Sequence, residues 1–226
     1  MNSAQLKLAA ARAALSEVRS GMALGLGTGS TAEELVKVLA EAVMGGRLKE
    51  LRCTCTSVQT ERLASSLGLS LFPLQAIAPL DLAIDGADEI DVKLRLIKGR
   101  GGALLREKIV EQAARRFLVI ADASKRVERL GVGPLPVEVT PFAQPVLNVR
   151  FGSLGLSPVL RQKDGATFVT DEKHLIVDIS IPRDRDIADV VQEIRSFAGV
   201  VETGFFPTEA TEAVIASAEG IERMRR

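Results

Sequence analysis

Residues 22–43, MALGLGTGSTAEELVKVLAEAV, read as a buried strand, a glycine-rich turn and a helix. Met22 to Leu26 is a short apolar run of the kind found in strands covered on both faces. Thr31 to Val43 is helix-like in content. The same order recurs downstream. Leu51 to Val58 alternates like a strand, and Thr60 to Leu67 suits a helix ended by Gly68. Leu69 to Phe72 and Leu82 to Ile84 read as further strands, Ala103 to Arg116 as a helix, and Phe117 to Ala121 as a buried strand. Upstream, Ala4 to Val18 is Ala- and Leu-rich and reads as a helix stopped by Gly21. Strand, turn and helix in repetition predict an α/β fold, a parallel sheet wrapped by helices.

After about Lys125 the texture changes, with Gly131, Gly133, Pro134, Pro136 and Pro141 as punctuation. Thr167 to Thr170 and Leu175 to Ile179 read as two strands around a turn, Ile187 to Phe197 as an amphipathic helix, and Val200 to Thr203 as a strand. This predicts a small inserted α+β domain over 128–205. The parallel-sheet domain would comprise 1–127 plus 206–226, the tail from Thr208 returning to it.

Bulk properties narrow the function. The 226 residues carry 29 basic and 29 acidic side chains, so there is no net charge to attract nucleic acid. Tyr and Trp are absent, which argues against base-stacking surfaces. An anionic ligand must then be held by a local site. Cys53 and Cys55, two apart on one strand face, lack zinc-ligand spacing and read as buried small apolar residues. Lone His174, in a polar turn, reads as a surface residue. No uncharged apolar run reaches the length of a membrane span, and no secretory signal is apparent, so a cytoplasmic location without membrane contact is expected.

Three stretches carry candidate chemistry. In Gly25 to Thr31, glycines bring backbone N–H groups close to a ligand, and a helix start near Ser30 or Thr31 offers free donors and a positive dipole end. Glu33 and Glu34 lie three residues after those hydroxyls, as in a capping box. The dinucleotide pattern would need Gly at Ser30, and the triphosphate loop a Lys, so phosphate cradling stands against a plain tight turn. Asp85 and Asp88 follow the Leu82–Ile84 strand, with the small pair Gly86 and Ala87 between them. Ligands bind beyond strand carboxyl ends in such sheets. These carboxylates suit sugar hydroxyls or a hard cation, and equally turn and cap chemistry. Glu89 and Asp91 read as solvated loop charges. In Lys98 to Lys108, a second glycine-rich loop leads into a helix. Leu105, Ile109 and Ala113 form its expected core face. Glu107 shares a stripe with Ala103, Val110 and Ala114, which places it in a cleft or, alternatively, on the surface paired with Lys108. Partial desolvation would suit a proton shuttle, and Lys98 could steady an oxyanion.

Taken together and in order, these motifs closely resemble the ribose-5-phosphate isomerase A family. So do Thr56-Ser57-Val58-Gln59-Thr60, Ala121-Asp122-Ala123-Ser124-Lys125, Pro134 to Val139 and Gly199 to Gly204. The resemblance spans nearly the whole chain. It implies a Rossmann-like fold and a metal- and cofactor-free aldose–ketose isomerase working on a sugar phosphate as a homodimer or homotetramer. Thr28, Gly29, Ser30 and Thr31 would hold substrate, with Ser30 and Thr31 near the phosphate, Lys7 approaching it and Lys125 binding substrate. Asp85 and Asp88, with Gly86 and Ala87, would contact the sugar hydroxyls and help open the ring. Lys98 would stabilise the oxyanion beside Gly99, Arg100 and Gly101, and Glu107 would be the proton acceptor. Arg100 stands where the family loop commonly has Gly, so its side chain must point away from the ligand or contact it. The rival readings are a sugar-phosphate-sensing domain of related fold, which would bring a DNA-binding helix pair ahead of the sensor, and an acyl-transfer enzyme using the glutamate as nucleophile.

Overall fold

The computed structural model describes residues 1–226. In chain order the elements are α1 (Ser3–Leu15), β1 (Ala23–Leu26), α2 (Ser30–Met44), β2 (Arg52–Cys55), α3 (Val58–Ser66), α4 (Leu74–Ile77), β3 (Leu82–Asp85), β4 (Glu89–Ile90), β5 (Leu96–Ile97), α5 (Leu104–Gln112) and β6 (Phe117–Asp122). A 3₁₀ turn, Ala123–Lys125, follows β6. Then come β7 (Leu135–Val139), α6 (Gln144–Ser153), β8 (Val159–Leu160), β9 (Gln162–Lys163), β10 (Ala166–Thr167), β11 (Leu175–Ile179), α7 (Ile187–Arg195), β12 (Val200–Thr203), β13 (Phe205–Phe206), β14 (Glu212–Ser217) and β15 (Gly220–Arg225).

The main sheet has strand order β15-β14-β6-β3-β1-β2. All its pairings are parallel except the β14–β15 hairpin, which supplies an antiparallel edge. Its faces follow from period-2 alternation. Leu118 and Ile120 of β6 and Leu82 and Ile84 of β3 join α1 and α2 in one core. Phe117, Val119, Ala121 and Ala83 face a second. A third core lies between the four-stranded antiparallel sheet β12-β7-β11-β8 and helices α6 and α7. The short sheet β13-β5-β4 carries Lys98 directly after β5. No helix is long and apolar enough to cross a membrane.

The parallel sheet wrapped by helices is as expected, but several elements differ. Leu69–Phe72 makes a single bridge, Cys53 to Leu71, because Gly68 and Pro73 turn the chain at both ends. Strand β2 stops at Cys55, and Ser57 caps α3 by accepting from the Thr60 N–H. Helix α5 ends at Gln112 rather than Arg116, because the Arg115 N–H already donates to Leu80 C=O and the Leu80 N–H to Ala113 C=O. Thr167–Thr170 pairs only through β10 and one bridge from Val169 to Leu175. Pro136 lies inside β7, between β11 and β12, where the prolines had read as loop punctuation.

Helix α5 inverts its expected orientation. Ile109 is 48% exposed, while Glu107, Lys108 and Glu111 are buried with Leu104 and Val110. The charged residues turn inward because partners wait there. Lys108 Nζ donates to the carbonyls of Thr203 and Phe205, each at 2.8 Å, and to Glu202 at 3.0 Å. Glu107 and Glu111 face Lys98. Tertiary pairing overrides the apolar stripe.

Candidate active site

The loops after β1, β2, β3 and β6 meet at the carboxyl end of the main sheet. The Gly27 N–H donates to Ile84 C=O and the Thr56 N–H to Leu26 C=O, stitching the first three together. Gly29 is the N-cap of α2, at φ +106°, a conformation that suits glycine. The expected capping box does not form, since no side chain caps the helix. The first intrahelical bond runs from the Glu33 N–H to Gly29 C=O, so the earlier amides have no helical acceptor. Ser30 is free for another role, and its Oγ accepts from Lys7 Nζ at 2.9 Å.

Thr28 is the knot of this loop. Its N–H donates to Asp85 Oδ1 at 2.9 Å. Its Oγ1 lies 2.7 Å from Thr56 Oγ1, donates to Ser57 Oγ at 2.8 Å and lies 3.1 Å from Thr60 Oγ1. Gly27 stands so close to Asp85 that a Cβ there would fall 2.0 Å from Oδ1.

Behind the loop sits a buried charge cluster. Lys98 Nζ donates to Gly86 C=O at 2.7 Å. It lies 2.8 Å from Asp85 Oδ2, 3.2 Å from Glu111 Oε1 and 3.7 Å from Glu107 Oε2. Those three oxygens have no aligned hydrogen-bond donor. Burial would push the Lys98 ammonium down, but Asp85, Glu107 and Glu111 outweigh it and hold it up. Burial pushes the Glu107 carboxyl up to about 8, against the pull of Lys98 and helped by Asp85 and Asp88. Burial likewise pushes Glu111 well above the carboxylate range, against Lys98.

These groups surround a cavity of about 100 Å³ lined by Thr28, Gly29, Ser30, Thr31, Gly86, Ala87, Asp88, Lys98, Gly99, Gly101, Glu107 and Lys125. Only one lining residue is hydrophobic, which suits a polyhydroxylated anion. A larger cleft of about 570 Å³ beside Phe72 and Ile109 contains neither Glu107 nor Lys98. Three predicted site residues do not line the cavity. Asp85 lies beneath it, 1% exposed, holding Thr28 and Lys98. Lys7 stands behind Ser30. The Arg100 side chain turns away to Glu89 Oε1 at 3.2 Å, while its N–H donates to Asp88 Oδ2 at 2.9 Å. Arg100 therefore serves the loop through its backbone, as a glycine would. Lys125 ends the 3₁₀ turn that Asp122 caps through the Ser124 N–H.

Three readings need correction, and one open alternative is decided. Glu89 is buried, its carboxylate gathering the N–H groups of Gly131, Val132 and Gly133. Asp91 is buried too, accepting from the N–H groups of Lys93 and Arg95 and from Arg95 Nε. Each charge is met by backbone amides and one arginine. His174 is three-quarters buried, its Nδ1 3.0 Å from buried Glu138. Of the two alternatives for Glu107 the structure takes the cleft, since it is buried on the cavity wall and Lys108 is engaged by Glu202. Cys53 is buried in the first core with Cys55 packed against it, and burial raises both thiols to about 12.

Three features escaped the sequence reading. The hydroxyls of Thr56, Ser57 and Thr60 were visible as a motif but not as a brace for Thr28. Glu111, one turn after Glu107, was hidden by the apolar stripe. Arg161 comes from the small antiparallel sheet region. Its guanidinium is forked onto Asp178, with Nε at 2.8 Å, and its Nη1 donates to Gly99 C=O at 2.7 Å and Arg100 C=O at 3.2 Å. No local pattern announces a contact across 62 residues of chain.

Comparison with known proteins adds to this geometry. The family described as Ribose 5-phosphate isomerase A (phosphoriboisomerase A) matches residues 52–220. The chain is 49% identical over 232 aligned positions to a ribose-5-phosphate isomerase A of Agrobacterium fabrum, covering 100% of this chain and 99% of the relative. It is 51% identical to that of Roseiflexus castenholzii, covering 94% and 92%. A D-ribose-5-phosphate isomerase solved in complex with phospho-erythronic acid superposes with a TM-score of 0.95 at 34% identity, each chain covered in full. The Plasmodium falciparum ribose 5-phosphate isomerase does so with a TM-score of 0.95 at 34% identity, each covered to 99%.

Proposed function

The chain belongs to the ribose-5-phosphate isomerase A family, and from that premise we propose that it interconverts D-ribose 5-phosphate and D-ribulose 5-phosphate through an enediolate, with Glu107 as general base. The observation that carries the role of Glu107 is a buried carboxyl on the wall of a polar cavity, with Oε2 free of any hydrogen bond and a cation 3.7 Å away.

Once the sugar is in its open form, the Glu107 carboxylate takes the proton from C2. The C–H electron pair forms the C1–C2 double bond, and the carbonyl pair moves onto O1. The proton on O2 then passes to O1, and Glu107 returns its own to C1, leaving the ketone at C2. The Lys98 ammonium stabilises the negative oxygen, an effect worth roughly 3 kcal/mol per donor in such sites. Asp88 assists ring opening and holds hydroxyls, Asp85 sets Thr28 and Lys98 from beneath, and the backbone at Gly86, Ala87, Gly99 and Gly101 completes the wall, with the Arg100 N–H holding Asp88. Thr28, Gly29, Ser30 and Thr31 hold the phosphate end with Lys7 and Lys125, through α2's free amides and the hydroxyls of Ser30 and Thr31. A solved relative bound to phospho-erythronic acid supports a sugar phosphate as the substrate. That ligand's acid group, next to a hydroxylated carbon, spreads charge as an enediolate does.

The reaction needs no electron acceptor, and the reading includes no metal or redox cofactor. We further read the chain as a cytoplasmic homodimer or homotetramer with neither nucleic-acid nor membrane partners. We keep the division into two units, 1–127 with 206–226 and 128–205, the second supplying most of a core that Ile97 enters from the first. The test is a coupled assay with ribose 5-phosphate in the presence of a chelator, run on the parent chain and on Glu107→Gln. Turnover by the parent and its loss by about 10²–10⁴-fold in the variant is expected. A variant that isomerises at the parent rate removes Glu107 as the base.

A further inference from the structure

Three buried carboxylates surround one buried ammonium, and the proposed reaction gives a part to only two of them. Glu111 is the third. It follows Glu107 by one turn of α5, its side chain is 0% exposed, and neither of its oxygens has a hydrogen-bond partner. The charged groups that face it are Lys98 after β5, Asp85 at the end of β3, and Glu107 on its own helix. The rings of Phe117 and Phe206 flank the ammonium, 5.7 and 5.6 Å from Nζ. Lys108 lies over Phe206 as well, but its ammonium is engaged by Glu202 and two carbonyls.

The distances rank the contest for Lys98. Asp85 is nearest at 2.8 Å, Glu111 follows at 3.2 Å, and Glu107 is last at 3.7 Å, beyond hydrogen-bond reach. Resting on the reading of Glu107 as the base, we infer that Glu111 is a positioning residue that holds the Lys98 ammonium back from Glu107. A carboxylate in tight contact with an ammonium favours its charged form and is a weaker base. Held at a distance, the same cation remains available to an oxyanion on the substrate without quenching the base. Glu111 presents Oε1 to Lys98 at 3.2 Å, an oxygen that a glutamine in its place would retain.

The test is the pH profile of kcat/KM in Glu111→Leu and Glu111→Gln, with the parent alongside. Replacing one of three carboxylates around a single cation relieves an excess of negative charge, so neutral side chains are compatible with folding. Glu111→Met, closer in length, carries the same test if the leucine variant does not fold. Without Glu111, Lys98 closes on Glu107. The acidic limb then moves to lower pH by about one unit, and the plateau kcat falls about tenfold because the base is weaker, with KM within about threefold. Glu111→Gln keeps an oxygen toward Lys98 and restores limb and plateau to within about threefold of the parent. A limb that stays in place in a folded leucine or methionine variant overturns the inference, as does a glutamine variant that behaves like leucine. Glu107→Gln separates the two layers. If it is active, the base assignment falls; if it is inactive while the Glu111 variants leave the limb unmoved, only the role of Glu111 falls.

Discussion

The Thr28 N–H donates to Asp85 Oδ1 at 2.9 Å, joining the glycine-rich turn after β1 to the carboxylate at the end of β3. The other oxygen of that carboxylate lies 2.8 Å from Lys98. One buried side chain thus sets the phosphate turn and the cation in a common frame, and the frame depends on Gly27.

A methyl group at residue 27 would stand 2.0 Å from Asp85 Oδ1 and 2.5 Å from its Cβ. Asp85 is 1% exposed and has no room to retreat. Gly27→Ala is therefore expected to cost about 1–3 kcal/mol of stability through overpacking. It should also lower kcat more than about tenfold, because Lys98 loses its nearest charge partner. Denaturation and steady-state kinetics on the variant check both. A stable, fully active Gly27→Ala protein would show that Asp85 does not hold this frame.

Lys7 and Ser30 act as a unit, joined at 2.9 Å across 23 residues. If they hold the phosphate together, Lys7→Met and Ser30→Ala each raise KM by about 10–100-fold, the size of a lost hydrogen bond to a charged group, and leave kcat within a few-fold. Because the residues touch, the double variant is less impaired than the sum, with a coupling of about 0.5–3 kcal/mol. Substrate titrations on the four proteins measure this. Strictly additive effects would mean that Lys7 reaches the ligand independently of Ser30.

The sheet and its active edge were legible because they rest on local patterns. Buried runs such as Leu82–Ile84 and the glycine turns before α2 and α5 repeat within short windows. The small antiparallel sheet was read only in part, since Pro136 sits inside a central strand and reads locally as a breaker. The orientation of α5 was misread for a related reason. Leu105, Ile109 and Ala113 make a respectable apolar stripe, and nothing near them reveals that Lys98 and the Thr203 and Phe205 carbonyls await Glu107, Glu111 and Lys108 on the other side. Arg161 and Glu111 were invisible for that reason: each acts on a residue brought to it by the fold.

The Glu107 environment fixes the pH dependence of the reaction. Burial raises its carboxyl to about 8, with Asp85 and Asp88 adding to the effect and Lys98 opposing it. The base works only when ionised, so kcat/KM falls as pH drops through about 8 and levels off above. The apparent value belongs to the coupled cluster with Glu111 and Lys98. Lys98→Met removes the opposing cation, so its limb moves higher still. Rate–pH profiles on both proteins decide the matter, and a parent limb in the ordinary carboxylate range would contradict this assignment.

The same shift makes a prediction about stability, opposite in direction to the effect on activity. Glu107 ionises near 4.5 in the unfolded chain and near 8 in the folded one. Below the unfolded value both states hold the proton and the group is neutral in its effect. As pH rises from there, the unfolded chain releases its proton while the folded protein retains it, so folding loses stability until the folded carboxyl ionises too. Each pH unit of that window is worth up to about 1.4 kcal/mol, and coupling to Glu111 and Lys98 reduces the total to about 1–3 kcal/mol. Glutamine has no proton to lose. Glu107→Gln should therefore be more stable than the parent by about 1–3 kcal/mol at pH 8, with the gain vanishing below pH 4.5. Urea denaturation of both proteins at several pH values measures the difference. A glutamine variant that is inactive and yet more stable identifies a carboxylate kept against the interest of the fold, as a working base would be. A variant less stable than the parent at pH 8 would mean that Lys98 stabilises Glu107 more than burial destabilises it.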